Sequence, residues 1–274
     1  MLGKLFKHEF KATARHFLLM YAVFAFVTIC NKIVLEITAN NDFWAMFQGL
    51  FMGAYILTCF IIFVMTTVLI VMRFYKNMTS DEGYLSFTLP VTVHDHLISK
   101  SVVAFVWCIA SFIVFAISIL FLTWGHVAFE EFAYEFGELF GELFQYNTSS
   151  FILFCALYAL NIIIGSFYTI FLIYMAIAMG QLVNKHRVLT SIGAYFGINF
   201  IIQNVTSILF LALTIFVTAT GIFDDAFYEL MESPDFFYIF MNGTLGIGFI
   251  LNVALTAIFY FVTNHILTKK LNLE

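Results

Sequence analysis

A chain of 274 residues with 62% hydrophobic and only 11% charged side chains lies far from the roughly 25% charged content of soluble domains, which excludes a water-soluble fold as the starting assumption. The mean hydropathy of +0.98 and the net charge of −5 fit a lipid-embedded protein whose few charges sit in its connections. Because about 20 apolar residues cross a bilayer, this length suits six spans joined by short loops.

The chain opens with Leu2, Leu5, Phe6 and Phe10 alternating with Lys4, Lys7, Lys11 and Arg15 at steps of three and four. This pattern predicts an amphipathic helix over 1–16 lying on the inner membrane surface, either as an anchor or as a relay of motion to the first span. Six apolar runs follow, at 17–35, 47–72, 102–124, 151–179, 188–222 and 238–267. The first has basic residues ahead of it, as a signal peptide would, but it lacks a small-residue cleavage site and runs into Asn31, Lys32 and Glu36, so it reads as a retained span. Lys32 and Glu36 stand one helical turn apart and can pair, more as a snorkelling interfacial pair than as a transport site. Cys30, Cys59, Cys108 and Cys155 lie inside apolar runs without paired spacing. They read as packing residues, with no disulfide framework and no zinc site.

Lys and Arg are retained on the cytoplasmic face, whereas acidic residues count for little. With six spans, Lys4, Lys7, Lys11, Arg15, Arg73, Lys76, Lys100, Lys185, Arg187, Lys269 and Lys270 fall on one side, and of twelve basic residues only Lys32 falls near the other. Asp42, Glu130, Glu131, Glu135, Glu138, Glu142, Asp224, Asp225, Glu229, Glu232 and Asp235 collect opposite. The expected fold is all-α, one membrane domain of six transmembrane helices with both termini in the cytoplasm. Pro90 and Pro234, the two prolines, lie outside the apolar runs, and no linker or repeat interrupts them.

The connection between the second and third spans, residues 73–100, is longer and richer in specific residue types than a turn requires. Thr79 or Ser80 can cap a short helix, with Glu82 three residues after Thr79, and Pro90 stops that helix after Leu89. Thr92 then caps a second helix, with Asp95 at its third position, that runs on into the third span. Tyr84, Leu85, Phe87 and Leu89 stand beside Asp81 and Glu82. Taken alone, these residues describe a re-entrant hairpin with its aromatics at headgroup level.

The run Arg73-Phe74-Tyr75-Lys76, followed by Asp81-Glu82-Gly83-Tyr84-Leu85 and Phe87-Thr88-Leu89-Pro90-Val91, resembles the coupling-helix segment of bacterial type 2 ABC transporter permeases. The length, six spans, inside termini and N-terminal amphipathic helix are similar to that family over the whole chain, although unrelated transporters share this architecture and the motif carries most of the weight. The resemblance implies that Asp81, Glu82, Gly83, Tyr84, Leu85, Phe87 and Pro90 dock into a cleft of a cytoplasmic ATPase subunit, and that two permeases, identical or homologous, pair to form the pathway. An acidic pair at a helix N-terminus and protruding aromatics suit a stiff interface anchor. The chain has no loop of the form G-x-x-x-x-G-K-[ST]. ATP and Mg are therefore expected on a separate ATPase, with no cofactor and no catalysis in this chain.

In the fifth span Asn199, Gln203, Thr206, Ser207, Thr214 and Thr218 fall within about a third of the helix circumference, and the sixth carries Asn252, Thr256, Tyr260 and Thr263. Grouped polar residues in lipid serve interhelical hydrogen bonding or line a substrate path, and Asn199, Gln203, Thr206, Ser207, Asn252 and Thr256 are the candidates for such a lining. Residues 127–146 place Phe129, Phe132, Phe136, Phe140 and Leu143 on one face and five glutamates on the rest, predicting an outer-surface amphipathic helix; 223–237 forms a second, broken at Pro234.

Intramembrane catalysis needs a nucleophile with a base, or ligands at metal spacing. The one dense cluster, His94-Asp95-His96, begins a helix on which successive positions point to different faces, so neither a catalytic nor a metal site is expected. A secondary transporter would want a carboxylate in mid-span and an inverted repeat, and neither is visible. It remains the alternative, together with a membrane scaffold or receptor subunit without an ATPase. The expected function is the permease of an ATP-driven exporter in a bacterial plasma membrane, moving peptides or other amphipathic compounds by alternating access. Its partners are the ATPase, a second permease and membrane lipid, with no nucleic acid.

Overall fold

The computed structural model describes residues 2–37, 42–79, 91–124, 127–183, 186–220 and 235–269. Among them the regular structure is helical: α1 (Leu2–Glu36), α2 (Asp42–Met78), α3 (Val93–Thr123), α4 (Val127–Tyr146), α5 (Thr148–Gly180), α6 (Arg187–Thr220) and α7 (Phe236–Lys269). All but α4 are long and apolar enough to cross a bilayer, which makes this a multi-pass membrane protein. Each of the six corresponds to one apolar run of the sequence and most project beyond it. The 35 residues of α1 extend about 52 Å at 1.5 Å per residue, against a hydrocarbon core of about 30 Å.

The separate surface helix expected at 1–16 is not a separate element. Residues 2–16 run into the first span as one unbroken helix. Nothing between Phe10 and Phe17 breaks it, for that stretch holds neither proline nor glycine. Its inward face is held instead by the neighbouring helices.

Two compact units divide the chain, Met1–Phe136 and Gly137–Asn272. In the first, α1 packs on both α2 and α3. The α1–α2 pair is antiparallel: the Asn31 amide donates to the Phe51 carbonyl and the Gln48 amide to those of Val34 and Ile37, while Phe24 stacks on Tyr55. The α1–α3 pair is parallel, with Thr13 against Trp107, Tyr21 against Ser111, and Lys32 against the carbonyls of Leu122 and Trp124. Between these helices Phe17, Phe24 and Ile62 are buried to 1% exposure. Hydroxyl pairs thread the same seam, Tyr21 with Ser111 at 2.7 Å, Thr66 with Ser111 at 2.9 Å and Tyr55 with Ser118 at 2.8 Å. In lipid the hydrophobic drive between helices disappears, so packing and such bonds supply the association.

In the second unit α5 packs on α6 and α7. The α5–α7 pair is parallel and carries an asparagine ladder: Asn147 donates to the Asp235 carboxylate (2.8 Å), Asn242 to the Ser150 carbonyl (3.2 Å) and Asn161 to the Leu245 carbonyl (3.0 Å). Tyr168 meets Phe259 and Phe171 meets Tyr260 further along. Asn147 also accepts from the Ser150 amide and so caps α5. Of the described residues of α6, only Ser191 is buried.

The helix expected at 127–146 is present as α4, with Tyr134, Phe136, Leu139 and Phe140 exposed. The one expected at 223–237 lies outside the described residues except for its last three, of which Phe236 and Phe237 open α7.

Candidate functional site

Residues 80–90 lie outside the described residues, and with them Asp81, Glu82, Gly83, Tyr84, Leu85, Phe87 and Pro90. Both stems of that segment are described. On one side α2 ends at Met78, and the Thr79 hydroxyl donates to the Tyr75 carbonyl at 2.8 Å. On the other, Thr92 caps α3 as its spacing predicts: the Asp95 amide donates to the Thr92 Oγ1 (3.2 Å) and the Thr92 amide to the Asp95 carboxylate (3.3 Å), a complete capping box. The hydrogen bond from the Thr92 hydroxyl holds the Asp95 carboxyl below the usual carboxylate range. Phe74, Met78, Leu97 and Ser99 are fully buried, and Thr79, His96 and Lys100 nearly so. The stems are thus structural, whatever joins them.

A single carboxylate ties them together. Glu9 of α1, with its side chain 6% exposed, accepts from Arg73 Nε of α2 at 2.9 Å and from Lys100 Nζ of α3 at 2.5 Å. Arg73 and Lys100 are the residues that bound the 73–100 segment. Burial pushes the Glu9 carboxyl upward, but the Lys100 ammonium and the Arg73 guanidinium outweigh it and hold the group below the usual range. Burial likewise pushes the Lys100 ammonium below its ordinary value against the pull of Glu9. One level further along, Trp107 of α3 is clasped by α1: its ring stacks between Phe10 (4.9 Å) and Phe17 (4.4 Å), and its indole N–H donates to Thr13 Oγ1 at 2.8 Å. The first half of α1 is consequently a wedge against α2 and α3.

The sequence reading passed over Glu9 and Trp107. A signal for Glu9 existed, since at 100° per residue it sits on the apolar stripe of Leu2, Leu5 and Phe6 and not among the lysines. A carboxylate on an apolar face requires a buried partner. Nothing local identifies Arg73 or Lys100 as that partner.

The two candidate polar rows fall on different helices, each packed on α5. On α6 the Asn199 amide donates to the Tyr195 carbonyl (3.2 Å) and the Thr206 hydroxyl to that of Ile202 (2.8 Å), while Gln203 and Ser207 are exposed. On α7 Thr256 is buried and donates to the Asn252 carbonyl at 2.6 Å. Lys32 pairs with Glu36 at 3.4 Å and also donates to the Trp124 carbonyl at 2.6 Å, which makes it the cap of the α3 C-terminus. All four cysteines are free, and among the described residues no group of three or more His, Cys, Asp or Glu could hold a metal.

No protein-family profile, curated protein or solved structure matches the chain.

Proposed function

We propose that this chain is the membrane-spanning permease subunit of an ATP-binding cassette exporter, paired with a second permease and driven by separate ATPase subunits that hold ATP and Mg. The likeness of the 73–100 segment to a coupling helix carries this proposal. Supporting it is the way the segment is mounted: Glu9 joins both of its stems to α1. When the ATPases close on nucleotide, Asp81, Glu82, Tyr84 and Phe87 are pushed, and the push enters α2 and α3 at Arg73 and Lys100. Glu9 makes α1 move with them, so that three spans of one unit shift as a body and open the pathway outward. Peptides or other amphipathic compounds are the cargo class that so apolar a permease suits, and the bacterial plasma membrane is the proposed location.

Co-purification of the detergent-solubilised chain from its native membrane, beside Asp81→Ala/Glu82→Ala/Tyr84→Ala, tests this. A nucleotide-hydrolysing subunit should accompany the native chain and be lost from the triple variant. If no ATPase associates with the native chain, the exporter assignment fails and a secondary transporter or scaffold takes its place.

A further inference from the structure

The face of α6 turned away from α5 carries the wrong residues for lipid. The buried and half-buried side chains of α6, among them Ser191, Ala194, Ile198, Ile202 and Thr206, recur at steps of three and four and mark the side that packs on α5. At 100° per residue the opposite side holds Gly193, Gly197, Gln203, Asn204 and Ser207, and all five are exposed. Gln203, Asn204 and Ser207 lie near the middle of the apolar run 188–222, at the depth of hydrocarbon. Among the described residues no hydrogen bond holds the side chain of Gln203 or Ser207, and Asn204 donates its amide to the Phe200 carbonyl at 2.7 Å and keeps an open oxygen. An unpaired carboxamide in hydrocarbon is strongly unfavourable, so this face needs a cover that both gives and accepts hydrogen bonds. The glycines point the same way. A Cβ built on Gly193 or Gly197 meets nothing within 4 Å, so nothing inside the chain calls for residues that weaken a helix. Small residues four apart are what lets a second helix approach closely.

The first unit offers no complement. Its carboxamides within the apolar runs, Asn31 and Gln48, are already bonded to the carbonyls of Phe51, Val34 and Ile37. Its buried hydroxyls bond one another, and the exposed Thr58 and Thr67 donate to their own helix. We infer that a second copy of this chain covers the face, α6 against α6, parallel and related by a two-fold axis along the membrane normal. A carboxamide is donor and acceptor at once, so the face is its own complement. Gln203 and Asn204 flank its centre, and Gln203 of each copy gives its amide to the open oxygen of the partner's Asn204. Ser207 meets the partner's Ser207 one turn further on, and Gly193 and Gly197 let the backbones close together nearer the start of the helix. This pairing supplies an identical second permease to the exporter reading without resting on it: a dimer from membranes that yield no ATPase leaves the pairing standing and removes the exporter.

Oxidative cross-linking in native membranes decides it, in a chain whose four cysteines are replaced. Ser207→Cys should convert most of the 31.4 kDa chain into a covalent dimer. Phe60→Cys, near the middle of the run 47–72 on α2 and 69% exposed, should leave it monomeric. Adding Gly197→Leu to Ser207→Cys should lower the cross-linked fraction about fivefold, while Gly53→Leu, on α2 and equally unopposed within the chain, should leave it within about twofold. No cross-link at Ser207, equal cross-linking at Phe60, or equal losses from the two leucine variants would each overturn the pairing. Labelling of Ser207→Cys by a membrane-impermeant thiol reagent in intact cells, with no cross-link, would overturn it in favour of a water-filled lining. Should Gly197→Leu fail to fold, the comparison of Ser207→Cys with Phe60→Cys still decides.

Discussion

Glu9 is the only acidic residue before Glu36, and its two partners come from different helices. Replacing the carboxylate by an amide removes the negative charge to which both the Lys100 ammonium, 3% exposed, and Arg73 are bonded. Breaking a buried pair in this way costs about 3–5 kcal/mol, because the abandoned charge keeps its desolvation penalty. Lys100→Met is different, since it removes the more deeply buried cation and leaves Glu9 its bond to Arg73. Thermal midpoints of the purified protein should thus fall well below wild type for Glu9→Gln and much less for Lys100→Met; the reverse order would show that the pair does not hold the helices. The pH dependence has a definite sign. The folded-state pKa of Glu9 is depressed, so its contribution is complete above the ordinary glutamate value of about 4.3 and is lost as pH falls through the lower folded value. Wild type should lose midpoint in that acid range by a component that Glu9→Gln lacks. The carboxylate was visible in the sequence as an acid on an apolar stripe. Its partners, 64 and 91 positions away, were not, because periodicity places a residue on a face without saying what the face meets.

Elements whose signals are local were read well, and those that depend on close approach were not. Thr92 and Asp95 stand at capping-box spacing, and the structure forms that box at the start of α3. Thr92→Ala should cost about 1 kcal/mol, visible as faster hydrogen exchange at the first-turn amides of α3 with the rest of the helix unchanged. Gly180 gave no such signal. It ends α5 where α6 begins its return, and a Cβ there would lie 1.9 Å from Ser191 Oγ and 2.7 Å from the Arg187 carbonyl oxygen. The hydroxyl can turn away, but the carbonyl belongs to the first turn of α6 and cannot move without it. Gly180→Ala is expected to destabilise by about 1–3 kcal/mol, and adding Ser191→Gly should recover only part of the lost thermal midpoint. Full recovery would mean that the backbones are not in the close contact described. The asparagine ladder between α5 and α7 escaped notice for the same reason as the Glu9 partners: Asn147, Asn161 and Asn242 are unremarkable singly and acquire a role only when the helices lie side by side.

At the scale of the whole molecule, the contacts fix the relative directions of helices within each unit, and which way they face is an expectation that rests on the charges alone. Within the first unit α1 and α3 are parallel and α2 opposes them; within the second, α5 and α7 are parallel. Six successive crossings produce this pattern whichever side holds the N-terminus, so packing is blind to orientation. The basic residues are not, since the sequence pattern of six spans assigns eleven of twelve to one side. Long apolar runs made the six crossings legible, whereas the division into two units depends on which helix packs on which and had no trace in composition. The orientation can be tested on intact cells with a membrane-impermeant thiol reagent, in a background where Cys30, Cys59, Cys108 and Cys155 are replaced. Glu131→Cys and Glu138→Cys, both exposed on α4, should label without permeabilisation. Lys4→Cys, Lys76→Cys and Lys269→Cys should label only after it. The opposite pattern would put the 73–100 segment outside the cell, out of reach of any ATPase, and the proposed function would fall with the topology, whereas labelling as expected leaves that segment where a nucleotide-driven partner can push on it.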